Sequence, residues 1–213
     1  MDTWRFLIED LRKEFRIVLL DLKGHGYSDR PRDPRYSVQD HADIVIGLME
    51  HLNLTNAVLV GHSLGSGVAL LAALRDLNRR TGLVSGLVLI GGSAYPKQLR
   101  FFVRWLCRPV IGWLAMNMTS AAFRTRIGLR GAFYDDAKLT ASLVELYAKY
   151  QRIPGTGYAF MRTAERFVPS DMDSVRREFG KLQIPVVNIL GSMTGSSHGQ
   201  PQRDWANYYP GVV

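Results

Sequence analysis

The sequence predicts an α/β protein with a mainly parallel sheet of about four strands, flanking helices and a helical insertion. Short apolar runs alternate with helix-like segments through the first 94 residues, which is typical of a parallel sheet covered by helices. The apolar run 57–60 leads directly into a glycine-flanked serine and then into a helical pattern. Over residues 95–181 the alternation stops and only helix-like patterns follow. Together these three observations indicate a parallel sheet that is interrupted by a helical block.

Each element has its own local signal. Short, β-branched apolar runs of the kind buried in parallel sheets predict strands over residues 17–20, 57–60, 87–90 and 184–190. Ser37 is a favourable N-cap with Asp40 three residues later, so we expect a helix from Ser37 to about Leu52. A second helix is predicted from the serine turn to about Arg80. Further helices are expected over residues 97–107, 110–123, 136–152, 158–167 and 173–179.

This order of elements predicts one domain with an insertion. Residues 1–94 and 182–213 are expected to form the α/β core, although an incomplete one, and residues 95–181 a cap or lid beyond the carboxyl ends of the strands. The single cysteine excludes an internal disulfide framework. The N-terminal residues lack the apolar stretch of a signal peptide, and no apolar run reaches the ~18 residues of a membrane span. The predicted location is therefore the cytoplasm.

The positive charge lies entirely in the predicted lid. The chain has a net charge of +8, and residues 95–181 contain fifteen Lys and Arg against seven Asp and Glu. No nucleic-acid recognition motif accompanies this charge, so a nucleic-acid partner is not expected. Basic residues recur at helical spacing over 97–108, before the apolar stretch 110–118. One interpretation is a cap helix with a solvated basic face, and the other is peripheral contact with an acidic membrane surface.

Residues 61–65, Gly-His-Ser-Leu-Gly, form the most informative motif of the chain. A strand, then Gly-x-Ser-x-Gly, then a helix is the order of a nucleophile elbow. The sharp turn exposes the hydroxyl of Ser63, and Gly61 and Gly65 keep Cβ atoms out of the crowded strand–helix crossing. The helix that follows directs free N–H groups at the same point. The motif therefore predicts a nucleophilic Ser63, and the alternative is a glycine-rich βα turn without catalytic function.

Together with two further segments, this motif resembles the α/β-hydrolase family, in its lid-bearing esterase- and lipase-like branch. Residues 21–31, Asp-Leu-Lys-Gly-His-Gly-Tyr-Ser-Asp-Arg-Pro, resemble the loop after the family's fourth strand, and residues 184–191 resemble the strand that carries the catalytic acid. The resemblance implies that Ser63 attacks an acyl carbonyl, aided by a histidine–carboxylate pair and two backbone N–H groups. It assigns one of these N–H groups to Leu64. Hydrolysis of a carboxylic ester, with a lipid-like substrate, is the leading interpretation.

The sequence departs from the family pattern at the acid and the base. Thr194 stands where the acid is usual, and Asp204 is the nearest downstream carboxylate. No C-terminal Gly-His pair is present, which leaves His198 as the stand-in for the base. The usual second oxyanion loop would precede Asp2. The chain therefore looks truncated at both ends, and we expect it to have little esterase activity alone and to associate through unpaired strand edges.

The other four histidines are not expected to act as the base. His62 lies inside the elbow and is expected to point away from Ser63, whereas His25 is expected to have a structural role in the loop 21–31. His41 and His51 lie on the helix that begins at Ser37, where we expect them to be solvated or hydrogen-bonded.

Several functions share this framework. A serine at position 63 argues against epoxide hydrolases and haloalkane dehalogenases, whose nucleophile is an aspartate. Carbon–carbon-bond hydrolases, haloperoxidase-like enzymes and acyltransferases keep the serine and remain alternatives. A non-catalytic binding module with a decayed triad is another alternative, which Thr194 would suit. No cofactor or metal is expected, because the histidines and the cysteine lack ligand spacing and the glycines form no dinucleotide-binding pattern.

Overall fold

A three-stranded parallel sheet organises the computed structural model, which describes residues 1–91, 108–130, 133, 135–166 and 177–189. Its strands are β1 (Ala57–His62), β2 (Val84–Ile90) and β3 (Val186–Ile189), in the order β1-β2-β3. In the register, Val60 lies beside Val88 and Val88 beside Val187. The parallel sheet with flanking helices confirms the predicted α/β class.

The described residues contain seven α-helices, of which the one over residues 8–11 is not predicted by the sequence. They are α1 (Ile8–Leu11), α2 (Val38–His51), α3 (Leu64–Arg79), α4 (Pro109–Met118), α5 (Ala121–Arg130), α6 (Ala141–Gln151) and α7 (Thr156–Glu165), with 3₁₀ turns at Asp2–Trp4 and Asp136–Lys138. None of the helices in the described residues is long and apolar enough to cross a bilayer.

Helix α2 begins at the residue that the sequence predicts. The Ser37 side chain accepts a hydrogen bond from the Asp40 N–H at 3.1 Å, and the Asp40 carboxylate accepts one from the Ser37 N–H at 2.9 Å. This reciprocal capping box satisfies two N–H groups that a helix start would otherwise leave free. Helix α3 ends at Arg79, followed by Arg80 in a left-handed conformation. The predicted start of α2 and the predicted end of α3 are both confirmed.

The strand predicted over residues 17–20 is absent. These residues have no regular secondary structure, and three strands rather than four form the sheet in the described residues. An apolar run becomes a strand only where a neighbouring strand supplies ladder hydrogen bonds. No other described strand pairs with residues 17–20. The local pattern was therefore insufficient to predict this element correctly.

The single helix predicted over 110–123 is instead two helices, α4 and α5. Thr119 has an extended backbone, with φ −118° and ψ 146°, which ends α4. The Ser120 hydroxyl then accepts a hydrogen bond from the Phe123 N–H at 3.2 Å. Serine favours such N-terminal positions because it satisfies a free N–H group. Of the other predicted helices, residues 97–107 lie outside the described part of the chain, as do residues 167 and 173–176.

Helices α2 and α3 cover one face of the sheet and form the core with it. The largest fully buried apolar side chains include Ile46 on α2 and Leu87 and Leu89 on β2. The opposite face is open at the outer strands, where Val58 is 56 % exposed and Ile189 is 49 % exposed. The sheet is thus buried on one face and exposed in part on the other, which differs from the double burial that its apolar strands predict.

Helices α4 to α7 lie between β2 and β3 in the described part of the chain. Polar contacts join α7 to the loop 21–36: the Arg30 Nε donates to Thr156 Oγ1 at 2.8 Å, and the Tyr158 hydroxyl donates to the Asp33 carbonyl at 3.0 Å. The boundaries of the predicted lid at residues 95 and 181 remain predictions.

Candidate active site

Ser63 occupies the sharp turn that the Gly-x-Ser-x-Gly motif predicts. It follows the last residue of β1 and precedes the first residue of α3. Its backbone has φ 52° and ψ −115°, a positive-φ conformation that is rare for residues other than glycine. Ser63 is also exposed. A strained backbone thus holds an accessible serine at the carboxyl end of the sheet, and its catalytic role remains a prediction.

Two glycines flank this turn, but only one of them is needed for space. A Cβ atom on Gly61 would lie 2.5 Å from the Gly65 carbonyl carbon and 2.7 Å from the Ser66 Cα. A Cβ atom on Gly65 would meet nothing within 4 Å. The close crossing of β1 and α3 therefore explains why position 61 requires a residue without a Cβ atom. The same prediction for Gly65 is wrong, because space is available there.

Ser66 connects the turn to β1 and β2 through hydrogen bonds. The sequence analysis did not predict this role. Its buried hydroxyl donates to the Gly61 carbonyl at 2.8 Å and lies 3.3 Å from the Ile90 carbonyl. The Ile90 carbonyl also accepts from the Ser63 N–H at 2.9 Å. The ends of β1 and β2 are thereby linked to the first turn of α3. A small hydroxyl residue three positions after the serine is the signal that could have indicated this.

The start of α3 supplies N–H groups beside Ser63. Helix α3 begins at Leu64, and no side chain caps its N-terminus. The first N–H groups of a helix have no partner within the helix, and the helix dipole places partial positive charge there. This local geometry suits the oxyanion role that the resemblance assigns to the Leu64 N–H, which remains a prediction.

His62 lies on the exposed face of the sheet beside the end of β2. A Cβ atom on Gly91 would lie 3.7 Å from its Nε2 atom. Desolvation lowers the pKa of His62 below its ordinary value.

The candidate acid and base residues cannot be compared with Ser63 in the described part of the chain. Thr194, His198 and Asp204 lie outside the described residues. Within residues 1–91, 108–130, 135–166 and 177–189, the Ser63 hydroxyl makes no hydrogen bond to a histidine or a carboxylate. The same residues contain no cluster of three or more histidine, cysteine, aspartate or glutamate side chains that could hold a metal ion.

His41 is fully buried, which contradicts the expectation that it is solvated or hydrogen-bonded. Its ring packs edge-on against His25 and Tyr36, at centroid distances of 6.1 and 6.4 Å. Neither ring nitrogen has a hydrogen-bond partner in the described structure. Burial, and next the neighbouring His25, lower the pKa of His41 to about 4. His41 is therefore a neutral packing residue, whereas His51, at the end of α2, is exposed.

His25 has the structural position that the sequence predicts for it. Its Nδ1 atom lies 3.1 Å from the Lys23 carbonyl, within the loop that it stabilises. Burial lowers the pKa of His25 below its ordinary value.

Comparison with known proteins identifies the class of protein that this fold and turn define. A family model described as the alpha/beta hydrolase fold matches residues 1–113, which is more than half of the chain. The chain belongs to this family, as the resemblance of its motifs predicted.

Two of the relatives that the chain resembles are named as hydrolases. The chain is 41 % identical over 96 residues to the uncharacterized hydrolase YugF of Bacillus subtilis, a match that covers 45 % of this chain and 34 % of YugF. It is 38 % identical over 96 residues to a 2-hydroxymuconate semialdehyde hydrolase of Pseudomonas, covering 44 % of this chain and 32 % of that protein. The chain thus matches about a third of the length of these curated relatives.

Solved structures share the fold. The chain superposes on a meta-cleavage product hydrolase from Pseudomonas fluorescens with a TM-score of 0.76 and 22 % identity, covering 100 % of this chain and 74 % of that one. For a hydrolase from Pseudomonas aeruginosa the TM-score is 0.72 at 24 % identity, covering 99 % and 74 %. At these identities the likeness establishes the fold alone.

Proposed function

We propose that this protein is a serine hydrolase that cleaves carboxylic esters, with a lipid-like substrate, through an acyl-enzyme on Ser63. One observation carries the proposal: an exposed serine with φ 52° sits between a parallel strand and the uncapped start of a helix. In this arrangement the Ser63 oxygen attacks the ester carbonyl carbon while a general base takes the hydroxyl proton, and the Leu64 N–H stabilises the oxyanion that forms. The bond to the alkoxide then breaks, and the base returns the proton to this leaving group, which leaves as an alcohol. Water then releases the acid and regenerates Ser63.

The proposed chemistry requires a general base and an acid. His198 and Asp204 are the candidates that the sequence offers, with Thr194 at the usual position of the acid. Loss of the carboxylate in a comparable triad lowers turnover about 10⁴-fold. We therefore expect slow turnover from this chain.

Ester hydrolysis with matched variants tests the proposal. Release of nitrophenol from a short-chain nitrophenyl ester is measured for the chain and for Ser63→Ala, with Ser85→Ala as a control serine on β2. Slow release that Ser63→Ala abolishes and Ser85→Ala preserves would support the proposal. Release that is equal in all three proteins, or no release above buffer, would contradict it and favour a non-catalytic binding module.

Carbon–carbon bond hydrolysis is the second candidate function. The similarity to a 2-hydroxymuconate semialdehyde hydrolase, at 38 % identity, favours it. It would use the same Ser63 on a ketone carbon flanked by a dienol. Loss of the visible absorbance of a meta-cleavage product, without turnover of nitrophenyl esters, would favour this function over ester hydrolysis.

A further inference from the structure

Helix α5 carries an exposed stripe that mixes apolar and basic side chains. Phe123, Arg126, Ile127 and Arg130 are all exposed, and their spacing of three and four residues places them along one side of the helix. Phe123 is 54 % exposed and Ile127 is 50 % exposed. These four residues are called the outward stripe below.

Contacts on the other side of α5 fix the direction of this stripe. Thr125 is buried. The Arg124 guanidinium turns back to the end of α4, where it donates to the Met116 carbonyl at 2.9 Å and to the Thr119 carbonyl. Helix α5 is therefore held in one orientation, with the outward stripe towards solvent.

Helix α4 adds two further exposed apolar side chains. Leu114 is 40 % exposed and Met118 is 77 % exposed, and their spacing of four residues places them on one side of α4. Two consecutive helices, joined by Thr119 and Ser120, thus both present apolar side chains to solvent.

Basic side chains predominate next to these residues, and the exposed Asp135 and Asp136 follow directly in the chain. Residues 108–134 contain four arginines and no aspartate or glutamate. Arg130 forms an ion pair with Asp136 at 2.8 Å, whereas Arg126 has no ion pair within the described residues. A surface that combines basic and exposed apolar groups fits an anionic partner that also has an apolar layer.

We propose that the outward stripe docks on an anionic lipid membrane, with Phe123 and Ile127 entering between the headgroups and Arg126 and Arg130 contacting lipid phosphates. Amphipathic helices with basic and aromatic residues bind membrane interfaces in this way. A nucleic acid would engage the arginines but would leave Ile127 exposed, so the apolar pair favours the lipid. The proposal does not depend on the chemistry of Ser63.

Sedimentation with vesicles tests the docking. The chain is mixed with phosphatidylcholine vesicles, with or without about 30 % phosphatidylserine, at about 0.1 M and about 0.5 M salt. We expect binding only to the anionic vesicles and release at the higher salt. The variant Arg126→Gln/Arg130→Gln should weaken partitioning by about fivefold for each arginine. The variant Phe123→Ser/Ile127→Ser should weaken it by about tenfold or more.

Matched variants at the N-terminal end separate local docking from a general effect of charge or exposure. Arg12→Gln/Arg16→Gln removes two exposed arginines, one of which pairs with Glu9 at 2.8 Å. Phe6→Ser/Phe15→Ser removes apolar side chains that are 77 % and 62 % exposed. We expect both controls to bind as the unmodified chain does, and all variants to keep its thermal unfolding midpoint.

Several results would overturn the proposal. These are no binding to anionic vesicles, binding that salt does not weaken, or an equal loss of vesicle binding in the stripe variants and in their N-terminal controls. Binding to duplex DNA that survives Phe123→Ser/Ile127→Ser, without binding to vesicles, would assign the surface to a nucleic acid instead.

Discussion

Alanine substitutions at the two elbow glycines are predicted to change stability in opposite directions. In Gly61→Ala the new Cβ would lie 2.5 Å from the Gly65 carbonyl carbon and 2.7 Å from the Ser66 Cα. Both atoms belong to the backbone, so relief requires β1 and α3 to move apart. Overpacking of this kind costs typically about 1–3 kcal/mol, and we expect about 3 kcal/mol because no flexible side chain can yield.

Gly65→Ala is the matched control, because Gly65 lies in α3 and its Cβ position is open. Neither glycine has a positive φ, so backbone strain does not separate the two substitutions. Alanine is more favourable than glycine in a helix by about 0.5–1 kcal/mol. Urea unfolding of the three proteins gives the free energies directly. The explanation by a close crossing of β1 and α3 would be refuted if Gly61→Ala were as stable as the unmodified chain. It would also be refuted if Gly65→Ala lost as much free energy of unfolding as Gly61→Ala.

Two further predictions concern acid stability, in different pH ranges. Burial alone would raise the pKa of Asp76, but hydrogen bonds from the Thr81 hydroxyl and two backbone N–H groups hold it below its usual range. Its stabilisation is therefore complete above the ordinary aspartate pKa of about 3.9 and is lost as the pH falls through the lower native value. Unfolding free energies measured from about pH 5 to about pH 2 should fall less steeply in Asp76→Asn, and an unchanged slope would contradict this. For His41 the native pKa of about 4 lies below the ordinary value of 6.5, so the folded protein binds fewer protons than the unfolded chain. Stability should fall by up to about 3 kcal/mol between pH 6.5 and pH 4, and most of that dependence should disappear in His41→Leu. The same dependence in His41→Leu would show that another group is responsible.

Elements with complete local signals were predicted well. The capping box of Ser37 and Asp40 lies within four residues, and the turn at Ser63 is specified by its flanking strand and helix. Both are present in the structure. The strand predicted over residues 17–20 is absent because a strand needs a neighbouring strand to pair with, and an apolar run does not specify that neighbour. The prediction of one helix over residues 110–123 was wrong because apolar periodicity does not take account of short polar side chains such as Thr119 and Ser120, which compete for backbone hydrogen bonds.

Tertiary contacts account for the remaining differences. The burial of His41 follows from the packing of α2 against Tyr36 and His25, which the helical pattern of α2 alone does not reveal. The hydroxyl of Ser66 links strand ends that are distant in sequence, because Ile90 lies 24 residues further along the chain. At the candidate site, the position and backbone geometry of Ser63 were predictable from the motif. The roles of Thr194, His198 and Asp204 remain predictions.

Covalent labelling of Ser63 tests the central claim most directly. The folded chain is incubated with excess fluorophosphonate probe, and each serine-containing peptide is analysed by mass spectrometry over time, with Ser63→Ala and a urea-unfolded sample as controls. We predict an adduct that forms slowly but selectively on Ser63 and is absent after unfolding, because the folded turn and the Leu64 N–H create the reactivity. An unmodified Ser63, or one labelled no faster than the other serines, would contradict its assignment as the nucleophile.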